Sequence, residues 1–351
     1  MKQVALLLLA TLLTLGLLGC QQTADPAVTT TPVTTAPPAT TAAPLPVGWV
    51  EMGGNTYYYS ADHVMVTGWQ EIDGAKYYFA SNGAMATGWQ MLDGNTYYLT
   101  EAGLAAPGWL EIDERQYYFT DEGTPVTGWQ TVDELERYFT ADGALATGKV
   151  DVEGTTRWFA SNGTEIILVN PWNFIPEYYN PEIVTIRDSW WKTSTECHEA
   201  LLEMLQGCRD AGLNPEIVSA YRTHGDQNWL YNNKINRLMN EGYSREEATR
   251  LAGTVVAIPG TSEHELGLAF DLVDKSYQNL DEAQEATPVQ QWLMVNSWRY
   301  GFILRYPNSK SESTGIIYEP WHYRYVGIDI ATEIYDSGLC LEEYLEMLTQ
   351  E

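Results

Sequence analysis

Glycines recur every twenty residues at Gly48, Gly68, Gly88, Gly108, Gly128 and Gly148, and this period constrains the first half of the chain more than any other feature. Tryptophan follows at Trp49, Trp69, Trp89, Trp109 and Trp129, with Lys149 in the sixth copy. A second aromatic recurs at Tyr58, Tyr78, Tyr98, Tyr118, Tyr138 and Trp158. A turn glycine recurs at Gly83, Gly103, Gly123, Gly143 and Gly163, with His63 in the first copy. A unit such as GWQEIDGAKYYFASNGAMAT has apolar alternation, an Asp-Gly type turn, an aromatic strand and a second turn, which predicts a β-hairpin. An isolated hairpin is marginal in water, so neighbouring units must supply the core. Residues 48–167 should therefore stack into an elongated β-hairpin solenoid without βαβ units.

The chain opens with MKQVALLLLATLLTLGLLGC. One lysine precedes an apolar run shorter than the ~20 residues needed to span a bilayer as a helix. Its end, Leu17-Leu18-Gly19-Cys20, resembles a bacterial lipobox, so residues 1–19 are expected to be a lipoprotein signal peptide. Cys20 would carry the lipid, leaving an extracytoplasmic protein held to the membrane by acyl chains. Residues 20–47 are rich in Thr, Ala and Pro and carry too little apolar surface to fold. As extended polyproline II, at ~3.1 Å per residue, this tether would reach roughly 80 Å.

Residues 168–351 alternate helical and strand patterns. A helix is expected over about 195–211, ended by Gly212, and then a strand over 216–220. Two helices follow, the second opening with Ser244-x-x-Glu247. LGLAFDLV reads as a strand whose alternation points Ala269 and Asp271 the same way. A helix near 289–299 leads to the strand FILRY, and EPWHYRYV supplies a further strand. The expected fold is α+β, with a small antiparallel sheet carrying the chemistry.

That chemistry lies in PGTSEHELGLAFDL and EPWHYRYVG. His264, Asp271 and His322 offer two imidazoles and a carboxylate, a set that leaves a fourth zinc position for water. Zinc lowers the pKa of that water towards neutrality. Glu319, three residues before His322, is suited to take its proton and deliver it to a leaving amine. HExxH is absent, which excludes the thermolysin pattern.

The motifs S-x-H-x-x-G-x-A-x-D (Ser262, His264, Gly267, Ala269, Asp271), E-x-W-H (Glu319, Trp321, His322) and S-x-Y-R-x-x-x-x-Q (Ser219, Tyr221, Arg222, Gln227) occur in the chain. Together they resemble the VanY-type zinc D-alanyl-D-alanine carboxypeptidases, over roughly residues 171–349. The resemblance implies an α+β domain in which His264, Asp271 and His322 bind zinc and Glu319 is the general base. It implies that Arg222 polarises the scissile carbonyl or clamps a substrate carboxylate. It also implies that Tyr221, Gln227, Ser262 and Trp321 contact substrate, a peptidoglycan stem peptide. Relatives that act as L,D-carboxypeptidases or endopeptidases are alternatives, as is a wall-binding adhesin with an inactive enzyme domain.

The repeats resemble the choline- and glucan-binding repeats of cell-wall proteins, which implies that Trp69, Trp89 and Trp109 hold a wall glycan or another wall polymer. Choline repeats carry a Trp before the Tyr-Tyr pair; here Thr56, Lys76, Thr96, Gln116, Glu136 and Thr156 stand in that slot, so an incomplete cage is expected. The 47 acidic and 19 basic residues leave a net charge of −28, which excludes nucleic acid and anionic lipid as electrostatic partners. Cys197 and Cys208 on one helix would lie about 16 Å apart, beyond the ~7 Å that a disulfide bridges. Any bridge would then join one of them to Cys340, and three reduced thiols are the alternative.

Cys20→Ala should abolish lipidation, leaving the chain unprocessed or released from membranes. N-terminal sequencing of the mature protein checks this, and a start other than Cys20 overturns it.

Overall fold

The computed structural model describes residues 46–104 and 107–349; Cys20, the lipobox and the tether up to residue 45 lie outside the described residues. Among the described residues no helix is long and apolar enough to cross a membrane.

Each twenty-residue unit forms an antiparallel hairpin, from Gly48–Met52 with Asn55–Tyr59 to Gly148–Val152 with Thr155–Phe159. The two-residue turns have positive φ at both positions: Gly53-Gly54, Asp73-Gly74, Asp93-Gly94, Asp113-Glu114, Asp133-Glu134 and Glu153-Gly154. That is the type I′ pattern, whose twist matches the paired strands. Within a hairpin Trp69 lies opposite Tyr78, and the other Trp–Tyr pairs follow the same register. The side chains that fill the stack are one position further on: Phe79, Leu99, Phe119, Phe139 and Phe159 are buried. Trp49 packs on Phe79, Trp89 on Phe119, Trp109 on Phe139 and Trp129 on Phe159, at ring distances of 5.7–6.0 Å. Each hairpin thus closes on the next, which an isolated hairpin cannot do.

The second half is built on four strands, β1 (Pro215–Ser219), β2 (Ala269–Asp274), β3 (Phe302–Tyr306) and β4 (Glu319–Tyr325), in an antiparallel sheet of order β1-β2-β4-β3. The expected helix over 195–211 is a 3-10 turn, Thr195–Cys197, followed by α1, His198–Asp210. Next come α2 (His224–Asn240), α3 (Arg245–Ala252), α4 (Glu263–Leu266) and α5 (Pro288–Asn296). At the start of α3, Ser244 accepts from the Glu247 N–H. At the start of α2, Thr223 and Asp226 form a reciprocal capping box. Leu201 and Leu205 of α1 and Leu293 of α5 pack with Phe270, Leu272, Phe302 and Tyr323 of the sheet. β2 is buried on both faces, so its alternation divides core from site rather than core from solvent.

The last helices, α6 (Ile328–Ser337) and α7 (Leu341–Thr349), pack on the sixth repeat. Ala160, Ile166 and Leu168 share one apolar cluster with Ile330, Ile334, Leu345 and Leu348. Gly148, at φ +63, has no room for a side chain: a Cβ there would lie 2.6 Å from the Thr349 nitrogen. The expected boundary at residue 167/168 therefore runs through a common core. Cys197, Cys208 and Cys340 are all buried free thiols, which is the unbridged alternative.

Glu134 occupies the second turn position with φ 65, where glycine stands in four of the six copies. Left-handed backbone costs a residue with a Cβ ~1–2 kcal/mol, partly offset by the extra entropy that glycine loses on folding, ~0.5–1 kcal/mol. Glu134→Gly should therefore stabilise the chain by roughly 0.5–1 kcal/mol, read as a raised urea midpoint. A lowered midpoint would overturn this account of the turn.

Candidate active site

Asp271 on β2 lies opposite His322 on β4 and beside Ser219 on β1, so the register of the sheet assembles two of the expected ligands. The third arrives on α4, a single turn ended by Gly267 at φ 75. A Cβ at Gly267 would approach the Ser194 nitrogen to 2.9 Å, so both backbone angle and space require glycine. Within the turn His264 is buried, and its Nδ1 faces the Ala220 carbonyl at 2.8 Å. A carbonyl only accepts, so Nδ1 carries the proton and Nε2 presents its lone pair. That Nε2 lies 3.4 Å from Asp271 Oδ2, and His322 Nδ1 lies 3.1 Å from Asp271 Oδ1. One donor atom from each of His264, Asp271 and His322 falls within 4.8 Å of the others. Two imidazole nitrogens and one carboxylate oxygen are the donor set of an open zinc site.

The electrostatics follow from burial. Burial disfavours the charged form of His264, and with Arg222 nearby its pKa falls to about 4. Burial opposes charge on His322 too, but hydrogen bonds to Asp271 and Glu263 push it up to about 9. Burial alone would raise Asp271; the two imidazoles outweigh it and hold the carboxylate ionised. Glu319 behaves differently. Burial pushes its carboxyl up to about 8, against the attraction of His322. Its Oε2 lies 3.7 Å from His322 Nδ1.

Strict alternation along β4 would put Glu319 and His322 on opposite faces. The pairing with β3 slips between Leu304 and Tyr306, where Tyr306 meets Glu319. This bulge lets both residues line one cavity of about 400 Å³. Arg222, Ser262, His264, Asp271 and Trp321 line it as well, with an apolar wall of Leu230, Val255, Val256 and Ile317. Gln227, expected at the cavity wall, sits behind it. It is fully buried, receives Arg222 Nη1 on Oε1 at 2.7 Å and donates to the Ala257 carbonyl at 2.6 Å. Tyr221 is likewise outside the lining set. The sequence motifs did not single out Tyr306, whose ring packs 4.7 Å from that of His322. They also missed Glu263, although it immediately precedes a ligand. A wider groove of about 900 Å³, flanked by Trp190, Glu199 and Lys275, holds none of these groups.

In the repeats, the expectation of an incomplete aromatic cage is corrected at three interfaces, because the third ring comes from the next hairpin. Trp49 meets Tyr58 and Tyr77, Trp69 meets Tyr78 and Tyr97, and Trp89 meets Tyr98 and Tyr117, all at 4.9–5.2 Å. At the last two interfaces Arg137 and Arg157 replace that tyrosine, and their guanidinium groups lie 5.2 Å from Trp109 and 5.4 Å from Trp129. Lys76 lies 4.5 Å from the Trp69 ring. The chain's own cations thus cover Trp69, Trp109 and Trp129, the first two being expected ligand sites.

The VanY D-alanyl-D-alanine carboxypeptidase family matches residues 191–328, and the choline-binding repeat family matches residues 66–103. Over 181 residues the chain is 42% identical to a D-alanyl-D-alanine carboxypeptidase of Enterococcus faecalis (strain ATCC 700802 / V583), covering 51% of this chain and 65% of that relative's length. Over 153 residues it is 39% identical to the bifunctional D-Ala-D-Ala dipeptidase and D-Ala-D-Ala carboxypeptidase VanXYC of Enterococcus gallinarum, covering 40% of this chain and 73% of that one. A solved structure of VanYB in complex with D-alanine-D-alanine is 42% identical and covers 51% of this chain and 96% of that one, with a TM-score of 0.48. With its three motifs gathered around one cavity and this extent of identity, the chain belongs to the VanY D-alanyl-D-alanine carboxypeptidase family.

Proposed function

We propose that the chain is a zinc carboxypeptidase that removes the C-terminal D-alanine from peptidoglycan stem peptides, outside the cytoplasm and close to the wall. The observation that carries this reading is the convergence of His264, Asp271 and His322 within 4.8 Å beside a buried carboxyl of raised proton affinity, Glu319. Zinc, when held by those three residues, would make a water acidic enough to attack a peptide carbonyl near neutral pH.

The remaining chemistry belongs to the chain. Glu319, which lines the same cavity as the three candidate ligands, accepts the proton of the attacking water as a general base. It then delivers that proton to the departing amine of D-alanine. Arg222 reaches the cavity with Nη1 fixed by Gln227, and its buried Nε has no hydrogen-bond partner among the described residues. An unpaired guanidinium N–H in a buried site suits a substrate carboxylate or carbonyl oxygen. The apolar wall of Leu230, Val255, Val256 and Ile317 suits a small side chain such as the alanine methyl and keeps water from the attacked bond. No serine acylation is involved, so penicillin should leave turnover unchanged.

The full chain should release one alanine from a pentapeptide stem, read by mass. Glu319→Gln should keep zinc but lose ~10²–10⁴ in kcat, whereas His264→Ala should lose the zinc itself, read by elemental analysis. Release from the tetrapeptide alone would replace this reading with L,D-carboxypeptidase activity, and cleavage of muropeptide dimers alone with endopeptidase activity. No product from any of them would leave the wall-binding adhesin.

We propose further that the repeats hold the enzyme on a wall polymer and that Cys20 tethers it to the membrane. Trp49, Trp89 and Trp109 are the more exposed indoles of the repeats, and among the described residues only Trp109 of the three lies under a cation of the chain's own. Stacking on a sugar face or cation–π contact at one indole is modest, ~0.5–2 kcal/mol, so retention rests on several sites together. The double variant Trp49→Ala/Trp89→Ala should elute earlier from purified walls while cleaving a small soluble peptide as before. Equal retention would remove those indoles from wall binding. Displacement of the wild type by millimolar choline would identify the ligand as choline.

A further inference from the structure

We propose that Glu263 is a positioning residue of the metal centre, which sets the tautomer and aim of His322; this rests on the zinc reading above. Glu263 precedes His264 on α4, yet its side chain turns away from that neighbour and is fully buried. Its Oε1 receives Arg305 Nε at 2.6 Å and Arg324 Nη1 at 3.1 Å. Its Oε2 lies 3.4 Å from His322 Nε2. The two arginines are fixed in turn. Arg305 donates to both carboxylate oxygens of Glu342 on α7, at 2.8 and 2.6 Å. Arg324 donates to the carbonyls of Tyr325 and Ile167, at 2.8 and 3.2 Å.

The charges balance: two guanidinium groups face two carboxylates, so Glu263 has no need to take up a proton. An ionised carboxylate only accepts hydrogen bonds. The nitrogen of His322 that faces it must therefore carry a proton, so Nδ1, which faces Asp271 at 3.1 Å, is the nitrogen left to exchange its proton for a metal ion. His264 shows the opposite arrangement, with its Nδ1 proton on the Ala220 carbonyl and Nε2 free. The two imidazoles thus present different nitrogens to one point because different acceptors hold their far sides. A carboxylate behind a ligand imidazole also raises its basicity and hence its affinity for a metal ion. Neutralising Arg305 and Arg324 does not by itself require an oxygen facing His322, and that contact separates positioning from charge balance.

The test uses the full chain. In the zinc-loaded wild type, ¹H–¹⁵N correlation spectra of the histidine rings should show His322 protonated at Nε2 and zinc-bound through Nδ1. Glu263→Gln, titrated with zinc against a chromogenic chelator, should bind zinc ~10–100-fold more weakly. Because that variant leaves a buried positive charge, Glu263→Gln/Arg324→Gln provides a charge-balanced partner, expected to show the same loss. The Co(II) absorption spectrum of either variant should differ from that of the wild type. Wild-type zinc affinity and Co(II) spectrum in a folded variant would overturn the role of Glu263 alone, as would a His322 ring protonated at Nδ1. A wild type that binds no zinc would overturn the metal reading and this proposal together.

Discussion

Asp271 holds a negative charge inside a four-stranded sheet, and much of the second half of the chain depends on how that charge is compensated. An isolated buried carboxylate would give up its ionised form. Asp271 keeps it because His264 and His322 lie at 3.4 and 3.1 Å, one brought by a single helical turn and the other by the neighbouring strand. Each imidazole is then braced from its far side, by the Ala220 carbonyl and by Glu263. The compensation extends through Arg305 to Glu342 on α7, so a charge at the centre of the sheet is tied to a helix near the C-terminus.

Glu319 shows the same physics with the opposite sign. It shares the cavity with Asp271, and the attraction of His322, 3.7 Å away, does not outweigh its burial, which moves the carboxyl towards the neutral form. Two carboxyl groups in one cavity thus take different proton affinities from their surroundings. That difference separates an anion able to hold a metal ion from a base able to exchange a proton.

The two halves of the molecule are continuous at their junction. Packing of indole on the buried phenylalanine of the next hairpin recurs along the repeats, and the last hairpin then meets α6 and α7 in a shared apolar cluster. Along the same direction the third aromatic of each interface gives way to Arg137 and Arg157, whose cations sit over Trp109 and Trp129. Arg157 also contacts the Tyr178 ring, 4.0 Å from its centroid, beyond the repeats. Interfaces near the second half are therefore internally satisfied, whereas those further out keep three rings together.

Short-range pattern was enough to determine the hairpin period, the strand carrying Asp271, the strand carrying His322, and the identity of the three candidate ligands. Those features depend on turn chemistry, alternation and motif spacing, all of which are local in the chain. Tertiary structure decided the rest. Glu319 and His322 share a cavity only because a bulge breaks the alternation of their strand. The third ring of each aromatic set comes from a different hairpin, so no spacing within one unit reveals it. Gln227 fell behind the cavity because Arg222 and the Ala257 carbonyl together use its amide. Glu263 stood beside a ligand in plain sequence, but its meaning depends on Arg305 and Arg324, some forty and sixty residues away. A buried charge is interpretable only when its partners are known, and those partners are chosen by packing rather than by neighbourhood in the chain.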